Sequence, residues 1–576
     1  MPYWFWLLSG WLAACGSIET RKDGKEGEAR KGSYLLAFDR TPWMGRGWGH
    51  GDSQSLGFAL ARKFGDDFRI RSFELLSVLD AGDGAVMQPL AIVQVDVWKE
   101  EDAELLLTQW EGARALVFWE PNWLSRLSGP PVFRLDRYVE ADSRWWADGI
   151  KLVPALHELE VFSLAGLPLV SPVVAVLDSG IDYEHPALVG RVWEHPHPES
   201  SLCKGGRYGC NTASPREGTL GDGTVFPLGA PGPGRPCTGR RGDLGEGDCA
   251  HGTHVAGVIA GNPAEGVMGV CPTCRVMNLR VVESIEGEAR ISDGAILRAL
   301  AYLSSFQTAE GKNLVRVVNL SFGKYQKGQA VSLYIKYISQ LRDGILVIGA
   351  AGNEDSQRRV YPAAHPLALG VAGLGASGRK ASYSNFGPWV DIAAPAGESQ
   401  EGFEFLIDSS FPGGGISYSQ GTSMAVPIVS GVAGLVLSAY PGLSLAALKN
   451  LLISTADTRI YGEGYAGGYN FRNYLVQVDH KNVPLLGKGM VDAWTALRKA
   501  AQSNDRPLRL SGEERRVELK CGSIGGADVF DSLKEVLFYF MLPLLWAFVS
   551  WVSDKGRWHS LRSKCGRLLQ RRTVTE

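Results

Sequence analysis

The chain reads as an α/β protein: a doubly wound parallel sheet with helices on both faces, preceded by a small α+β domain and followed by one membrane-spanning helix. Three features predict this. Short apolar runs alternate with stretches of helical period through the middle of the chain, the order that builds a parallel sheet covered on both faces. Of the 576 residues, 45% are hydrophobic, enough for a large core and for two or three domains. Val536 to Val552 carries no charge and reaches the lower length limit of a membrane span.

In chain order, Trp4 to Ala14 is a short apolar run ending in Leu12-Ala13-Ala14-Cys15. Residues 1–15 resemble a bacterial lipoprotein signal, which implies lipidation of Cys15; with no Lys or Arg in the n-region, a plain N-terminal anchor stays open. Residues 31–125 have a mixed order: strand-like Ser33 to Phe38, helical Leu56 to Phe64, apolar alternation from Ala91 to Val97, helical Glu101 to Trp110 and a strand from Arg114 to Trp119. From about 140 to 502, apolar strands fall at 173–177, 275–281, 315–320, 344–349 and 368–373. Helices fall near 251–260, 292–305, 329–342, 423–439 and 444–455. Residues 503–530 form a polar linker and 535–552 the spanning helix, in which Pro543 is tolerable. Lys555, Arg557, Arg562, Lys564, Arg567, Arg571 and Arg572 make 553–576 a basic tail on the cytoplasmic side. A buried helix, or a removable sorting tag after Gly525-Gly526, are the other readings of this end.

Three short motifs carry chemistry. Asp178-Ser179-Gly180 closes the apolar run Val173 to Leu177, His251-Gly252-Thr253-His254 opens a small-residue helix, and Gly421-Thr422-Ser423 opens another. Taken singly they fit a turn or a helix cap. Together they supply what a serine nucleophile needs: an imidazole to take the hydroxyl proton, and a carboxylate to hold that imidazole in one tautomer. A fourth element is Gly352-Asn353-Glu354, just beyond the apolar run Gly344 to Ala351, at the strand end where open α/β sheets bind ligands.

With these elements the chain resembles the subtilisin-like serine proteases (subtilases, peptidase family S8), which share the Asp, His, Ser order. The resemblance implies Asp178, His251 and Ser423 as the catalytic triad, Asn353 as oxyanion-hole donor, and Ser321, Phe322 and Gly323 as the strand along which an extended peptide substrate lies. His254 is then a structural member of its motif. Gly487 to Ala493 resembles the closing turn and last helix of the domain. Residues 31–125, closing with Phe118-Trp119-Glu120-Pro121-Asn122, resemble an inhibitor-I9-like propeptide, which implies a zymogen with its own propeptide as intramolecular inhibitor. The implied activity is a serine endopeptidase acting on proteins or peptides; no cofactor is required and structural calcium is possible. Two other readings stand beside it: a non-catalytic scaffold on the same fold, and a processing protease of narrow specificity.

Asp178 and His251 are 73 residues apart, and residues 194–249 form a Cys-rich insertion between them. Cys203, Cys210, Cys237 and Cys249 lie there, and Cys271-Pro272-Thr273-Cys274 follows. Up to three disulfides are expected; 203–210, 237–249 and 271–274 is a pairing guessed from proximity among fifteen. A zinc site would need a second CxxC, and Asp222, Asp243 and Asp248 match no calcium loop. Disulfides imply an oxidising compartment. With the two anchors, this suggests a bacterial cell envelope protein, membrane-anchored with the catalytic domain outside the cytoplasm. A net charge of −2 offers no reason to expect nucleic acid as a partner.

Overall fold

A computed structural model of the chain describes residues 29–39, 70–79, 90–97, 107, 116–127, 133–134, 144–164, 169–197, 203, 207–213, 249–285, 288–308, 311–461, 463–465, 469–470, 475–478 and 481–503. The predicted helix at 56–64, most of that at 101–110, Cys15, Cys237, Asp222, Asp243, Asp248 and the segment 535–552 lie outside these residues.

The N-terminal part is an antiparallel sheet of β1 (Ala29–Asp39), β2 (Ile70–Leu79), β3 (Leu90–Val97) and β4 (Phe118–Leu127), in the order β2-β3-β1-β4. β2 had no counterpart in the sequence reading, and β4 begins later than the predicted 114–119 and runs eight residues beyond it, through Pro121. Proline fits because Pro121 pairs with Tyr34 of β1, whereas the other edge of β4 acquires a partner only from Leu124 onward.

The chain continues through β5 (Phe133–Arg134), α1 (Trp145–Gly149), α2 (Leu152–Leu164), β6 (Val173–Asp178), β7 (Gly209–Asn211), α3 (Ala250–Ala260) and β8 (Arg275–Arg280). A hairpin of β9 (Val282–Ile285) and β10 (Glu288–Ser292) leads to α4 (Asp293–Ser304), β11 (Val315–Leu320), β12 (Phe322–Gly323) and α5 (Gln329–Gln340). Then come β13 (Leu346–Ala350), β14 (Leu369–Leu374), β15 (Ile392–Pro395), the hairpin β16 (Ile407–Phe411) and β17 (Gly415–Ser419), α6 (Thr422–Ala439), α7 (Leu445–Ser454) and α8 (Ala493–Ser503). The five strands and five helices predicted between 173 and 455 are all present.

The central sheet has the order β15-β14-β13-β11-β6-β8-β7, with every pair parallel. Its period of two divides β6 between the two faces. Val174 and Val176 join the core with α2, α3, α6, α7 and α8, while Val173, Ala175 and Leu177 join the core with α4 and α5. Leu35, Ala37, Ile92 and Phe118 of the N-terminal sheet enter that second cluster, so α4 and α5 lie between the two sheets.

β7 belongs to the insertion, yet it forms the edge strand of the central sheet and is fastened by a Cys203–Cys210 disulfide. Part of the insertion is therefore sheet, a feature hidden by its short length and its Gly and Cys content. All of α6 is buried. Its small residues allow this: a Cβ at Gly431 would run into Val270, and one at Gly434 into the sulfurs of the Cys271–Cys274 disulfide. Among the described residues, α6 is the one helix long and apolar enough to cross a membrane, and it is core.

Candidate active site

The strand ends converge at the carboxyl edge of the sheet. Asp178 is the last residue of β6, and its Oδ1 accepts hydrogen bonds from the Ser179 N–H at 2.7 Å and from His251 Nδ1 at 2.8 Å. His251 stands in the first turn of α3, which comes this close because residue 252 is glycine; a Cβ there would strike the Gly180 carbonyl. The Gly252 N–H donates to Ser179 Oγ at 3.1 Å and the Asp182 N–H to Thr253 Oγ1 at 2.9 Å, stitching the turn after β6 to the helix. Asp178 is 1% and His251 7% exposed, and His251 Nε2 is buried with no hydrogen-bond partner. With Nδ1 held by the carboxylate, Nε2 is the nitrogen left for a proton from elsewhere.

Ser423 lies in the first turn of α6 and is fully buried. Its hydroxyl donates to Met424 Sδ at 3.3 Å rather than to His251. Pro427, four residues on, has no N–H to give to the Ser423 carbonyl. Ser321 supplies the missing donor: its Oγ bonds that carbonyl at 2.9 Å and accepts from Asn319 Nδ2 at 3.0 Å.

Asn353, two residues past the last alanine of its strand run, is half-buried beside Thr422. Its Oδ1 accepts from the Thr422 N–H at 2.9 Å and from Thr422 Oγ1 at 3.0 Å, so its Nδ2 end is the one turned to other work. Thr422 Oγ1 in turn accepts from the Gly352 N–H at 3.1 Å. Half-buried Tyr383 completes the frame, accepting from the Gly421 N–H at 2.9 Å and donating to the Ala396 carbonyl at 2.8 Å. His254, fully buried, bonds the Ile407 carbonyl through Nε2 at 3.1 Å; burial, then the neighbouring His251, push its pKa down to about 3 and keep it neutral.

Of Ser321, Phe322 and Gly323, the last two pair with an extended strand, and that strand is the chain's own. Leu127 and Arg126 of β4 pair with Phe322 and Gly323, while Leu124 and Ser125 pair with Ser292 and Ile291 of β10. Beyond, Phe133 and Arg134 of β5 pair with Tyr418 and Ser417 of β17, the strand that leads to Gly421. The N-terminal sheet is further fixed by polar contacts to helix starts. Glu120 accepts the Gln329 and Ala330 N–H groups of α5 at 2.7 and 2.8 Å, and Asn122 accepts the Gly294 N–H of α4 at 3.0 Å. Burial, then the Asp293 charge, push the Glu120 carboxyl up to about 7 against these donors.

Of the six cysteines considered, 203–210 and 271–274 are disulfides, and Cys249 is also disulfide-bonded. Among the described residues no group of three or more His, Cys, Asp and Glu is placed to hold a metal ion. Ser179, Thr422 and Tyr383 were not singled out from sequence: Ser179 and Thr422 are parts of the motifs, while Tyr383 has no local signal.

The Subtilase family (peptidase S8) matches residues 171–471. Subtilisin NAT of Bacillus subtilis subsp. natto is 34% identical over 224 residues, which are 37% of this chain and 54% of that protein. Subtilisin BL of Lederbergia lenta is 33% identical over 219 residues, 37% of this chain and 74% of that protein. The chain thus spans between about half and three quarters of the length of these curated relatives. A solved protease structure from Pseudoalteromonas arctica PAMC 21717 aligns with a TM-score of 0.43 and 25% identity, over 61% of this chain and 94% of that one. On the family match to more than half of its residues, the chain belongs to the subtilases.

Proposed function

We propose that the chain is a serine endopeptidase that hydrolyses peptide bonds of proteins through an acyl-enzyme at Ser423. The observation that carries this is the 2.8 Å bond between Asp178 and His251 Nδ1, which leaves a buried, unpartnered Nε2 as the base. In the reaction, the Ser423 hydroxyl leaves Met424 Sδ for His251. His251 Nε2 accepts the proton as Oγ attacks the substrate carbonyl carbon, and Asp178 stabilises the imidazolium. The tetrahedral oxyanion is held by Asn353 Nδ2 and the Ser423 N–H. Collapse breaks the C–N bond as His251 returns its proton to the leaving amine, and water then releases the acyl group by the same steps in reverse.

The N-terminal sheet acts as the propeptide: the pairing of β4 with β12 and of β5 with β17, the strand that leads to Gly421, supports an occluding inhibitor that the enzyme itself removes. The enzyme works outside the cytoplasm, held at the membrane by 535–552 and, before maturation, by lipid on Cys15. Its disulfides and the basic tail 553–576 support this. If processing separates the two domains, lipid leaves with the propeptide and the C-terminal helix keeps the protease.

Intact mass and N-terminal sequencing of membrane-extracted protein, wild type beside Ser423→Ala, test the scheme. A new N-terminus between about 123 and 170 in the wild type alone, with fluorophosphonate labelling lost in the variant, is the expected result. Equal uncleaved chains that both resist the probe would overturn it in favour of a non-catalytic scaffold. Loss of membrane retention on deleting 535–552 tests the anchor, and fatty-acid labelling abolished by Cys15→Ala tests the lipid.

A further inference from the structure

Asn353 sits in a turn that is tied to a second turn, 380–386, further along the chain. The Asn385 N–H donates to the Gly352 carbonyl at 2.9 Å, Asn385 Nδ2 to the Ala351 carbonyl at 2.9 Å, and the Asp355 N–H to the Tyr383 carbonyl at 2.8 Å. The second turn also holds the start of α6, because the Tyr383 hydroxyl takes the Gly421 N–H. One side chain closes the two turns on each other. Lys380 Nζ donates to the Asp355 carboxylate at 2.7 Å and lies 3.0, 3.3 and 3.0 Å from the carbonyl oxygens of Ala381, Ser382 and Ser384. The Phe386 ring is 5.2 Å from the same ammonium. The Lys380 side chain is 4% exposed and that of Asp355 60%, so an ion pair alone would be worth little here. The carbonyls make the difference. Oxygens of near neighbours turned on one point repel one another, and a hard cation is what gathers such a set. Here a side-chain ammonium, a compact charge with three donors, stands in that place.

We propose that Lys380 is a positioning residue for the oxyanion side of the site: its ammonium is a tethered cation that gathers 380–386 round itself and, through Asp355, Asn385 and Tyr383, sets Asn353 and the first turn of α6. The inference rests on the protease reading and adds to it a residue that touches neither the substrate nor the reacting atoms. Without the cation the three carbonyls turn apart toward water. The Tyr383 carbonyl and hydroxyl move with them, and the Asp355 and Gly421 N–H groups lose their acceptors. Asn353 then leaves its register, while Asp178 and His251 stand on β6 and α3 and keep theirs. The loss falls on charge that develops after the substrate is bound, hence on kcat more than on KM.

The test is steady-state cleavage of a peptide substrate by the full-length, detergent-extracted protein. Lys380→Met should lower kcat roughly ten- to a hundred-fold, less than removal of the Asn353 donor itself, with KM changed no more than a few-fold. In an Asn353→Ala background the same substitution should cost several-fold less, because the group it positions is already gone. Ammonium chloride should restore activity to Lys380→Ala, and tetramethylammonium chloride at equal concentration, which has no hydrogen to donate, should not. Wild-type kcat in Lys380→Met, equal losses in the two backgrounds, or an equal response to the two salts overturns the inference and leaves the protease reading intact. If neither Lys380 variant shows a melting transition, Asp355→Asn takes its place, since it keeps the ammonium and changes an exposed side chain. It should lower kcat roughly two- to five-fold in the wild type and not at all in Asn353→Ala. An Asp355→Asn protein with wild-type kcat overturns the inference equally. A wild type that cleaves nothing beyond the Ser423→Ala background removes both the inference and the protease reading.

Discussion

At the start of α5 the first N–H groups, of Gln329 and Ala330, both donate to the Glu120 carboxylate, which reaches them from the N-terminal sheet. At the start of α6 the Thr422 N–H donates to the neutral amide oxygen of Asn353, and the reactive candidate Ser423 comes next. Neither helix has a side-chain cap from its own N-cap residue, Gly328 or Gly421. The orphan donors of a helix start attract negative charge wherever they occur. At α5 those donors help to dock one part of the chain on another; at α6, on the proposed mechanism, they are available to a charge that exists only during reaction. On that mechanism, a carboxylate placed at α6 as Glu120 is at α5 would occupy the oxyanion's place, so the two starts would need to be capped by different chemistry.

The comparison breaks most visibly at α6. Ser423→Ala, His251→Ala and Asp178→Asn should each lower kcat on a peptide substrate by about 10⁴–10⁶ with melting temperatures near wild type. A Ser423→Ala protein within tenfold of wild type would take α6 out of the chemistry. Next in size is Asn353→Ala, expected to lower kcat by about 10²–10³ with KM altered no more than a few-fold, because the donor acts on charge that develops after binding. Equal losses in kcat and in ground-state binding of a peptide aldehyde's non-reactive analogue would point instead to a collapsed Thr422 frame.

At α5 the sharpening variable is pH. The Glu120 carboxyl is raised to about 7 when docked, from 4.5 when free. A group whose pKa rises on docking favours the docked state in acid: its contribution is fully present below about 4.5 and is lost as pH rises through 7. Fluorophosphonate labelling of Ser423 should therefore climb between pH 5 and 8 in the wild type more steeply than in Glu120→Gln, by about two orders of magnitude at most. Taking the ratio of the two proteins cancels pH effects common to both. Parallel profiles would mean that Glu120 is a cap without pH-dependent effect.

What could be read ahead of the structure divides along the same line. The α6 side was legible: Asp178, His251, Asn353 and Ser423 each sit at the end of a periodic element inside a local motif, and the elements themselves follow from apolar period. The α5 side was not. Glu120 and Gln329 are 209 positions apart, and nothing about either residue announces the other. The hairpin β9–β10 that continues the N-terminal sheet is four and five residues per strand, too short for a period to declare itself. β7 was hidden in a loop-like composition, and β4 was placed too early because its continuation past Pro121 depends on neighbours that only the fold supplies.

The smallest effect belongs to Ser321, and it tests whether the α6 start is positioned or merely present. Pro427 removes the N–H that would ordinarily bond the Ser423 carbonyl, and the Ser321 hydroxyl takes its place at 2.9 Å. Ser321→Ala leaves a buried acceptor without a donor, at a cost of about 1–3 kcal/mol, and frees the first turn of α6 to shift. The expected result is a kcat a few-fold lower with a melting temperature lower by a few degrees. Packing loss alone would give the second without rescue. Pro427→Ala in the Ser321→Ala background restores an N–H four residues after Ser423, so it should recover much of the lost kcat if the carbonyl's hydrogen bond is what holds the nucleophile in register. A double variant no better than the single would show that Ser321 acts on something other than that carbonyl, with the strand pairing of Phe322 and Gly323 the next place to look.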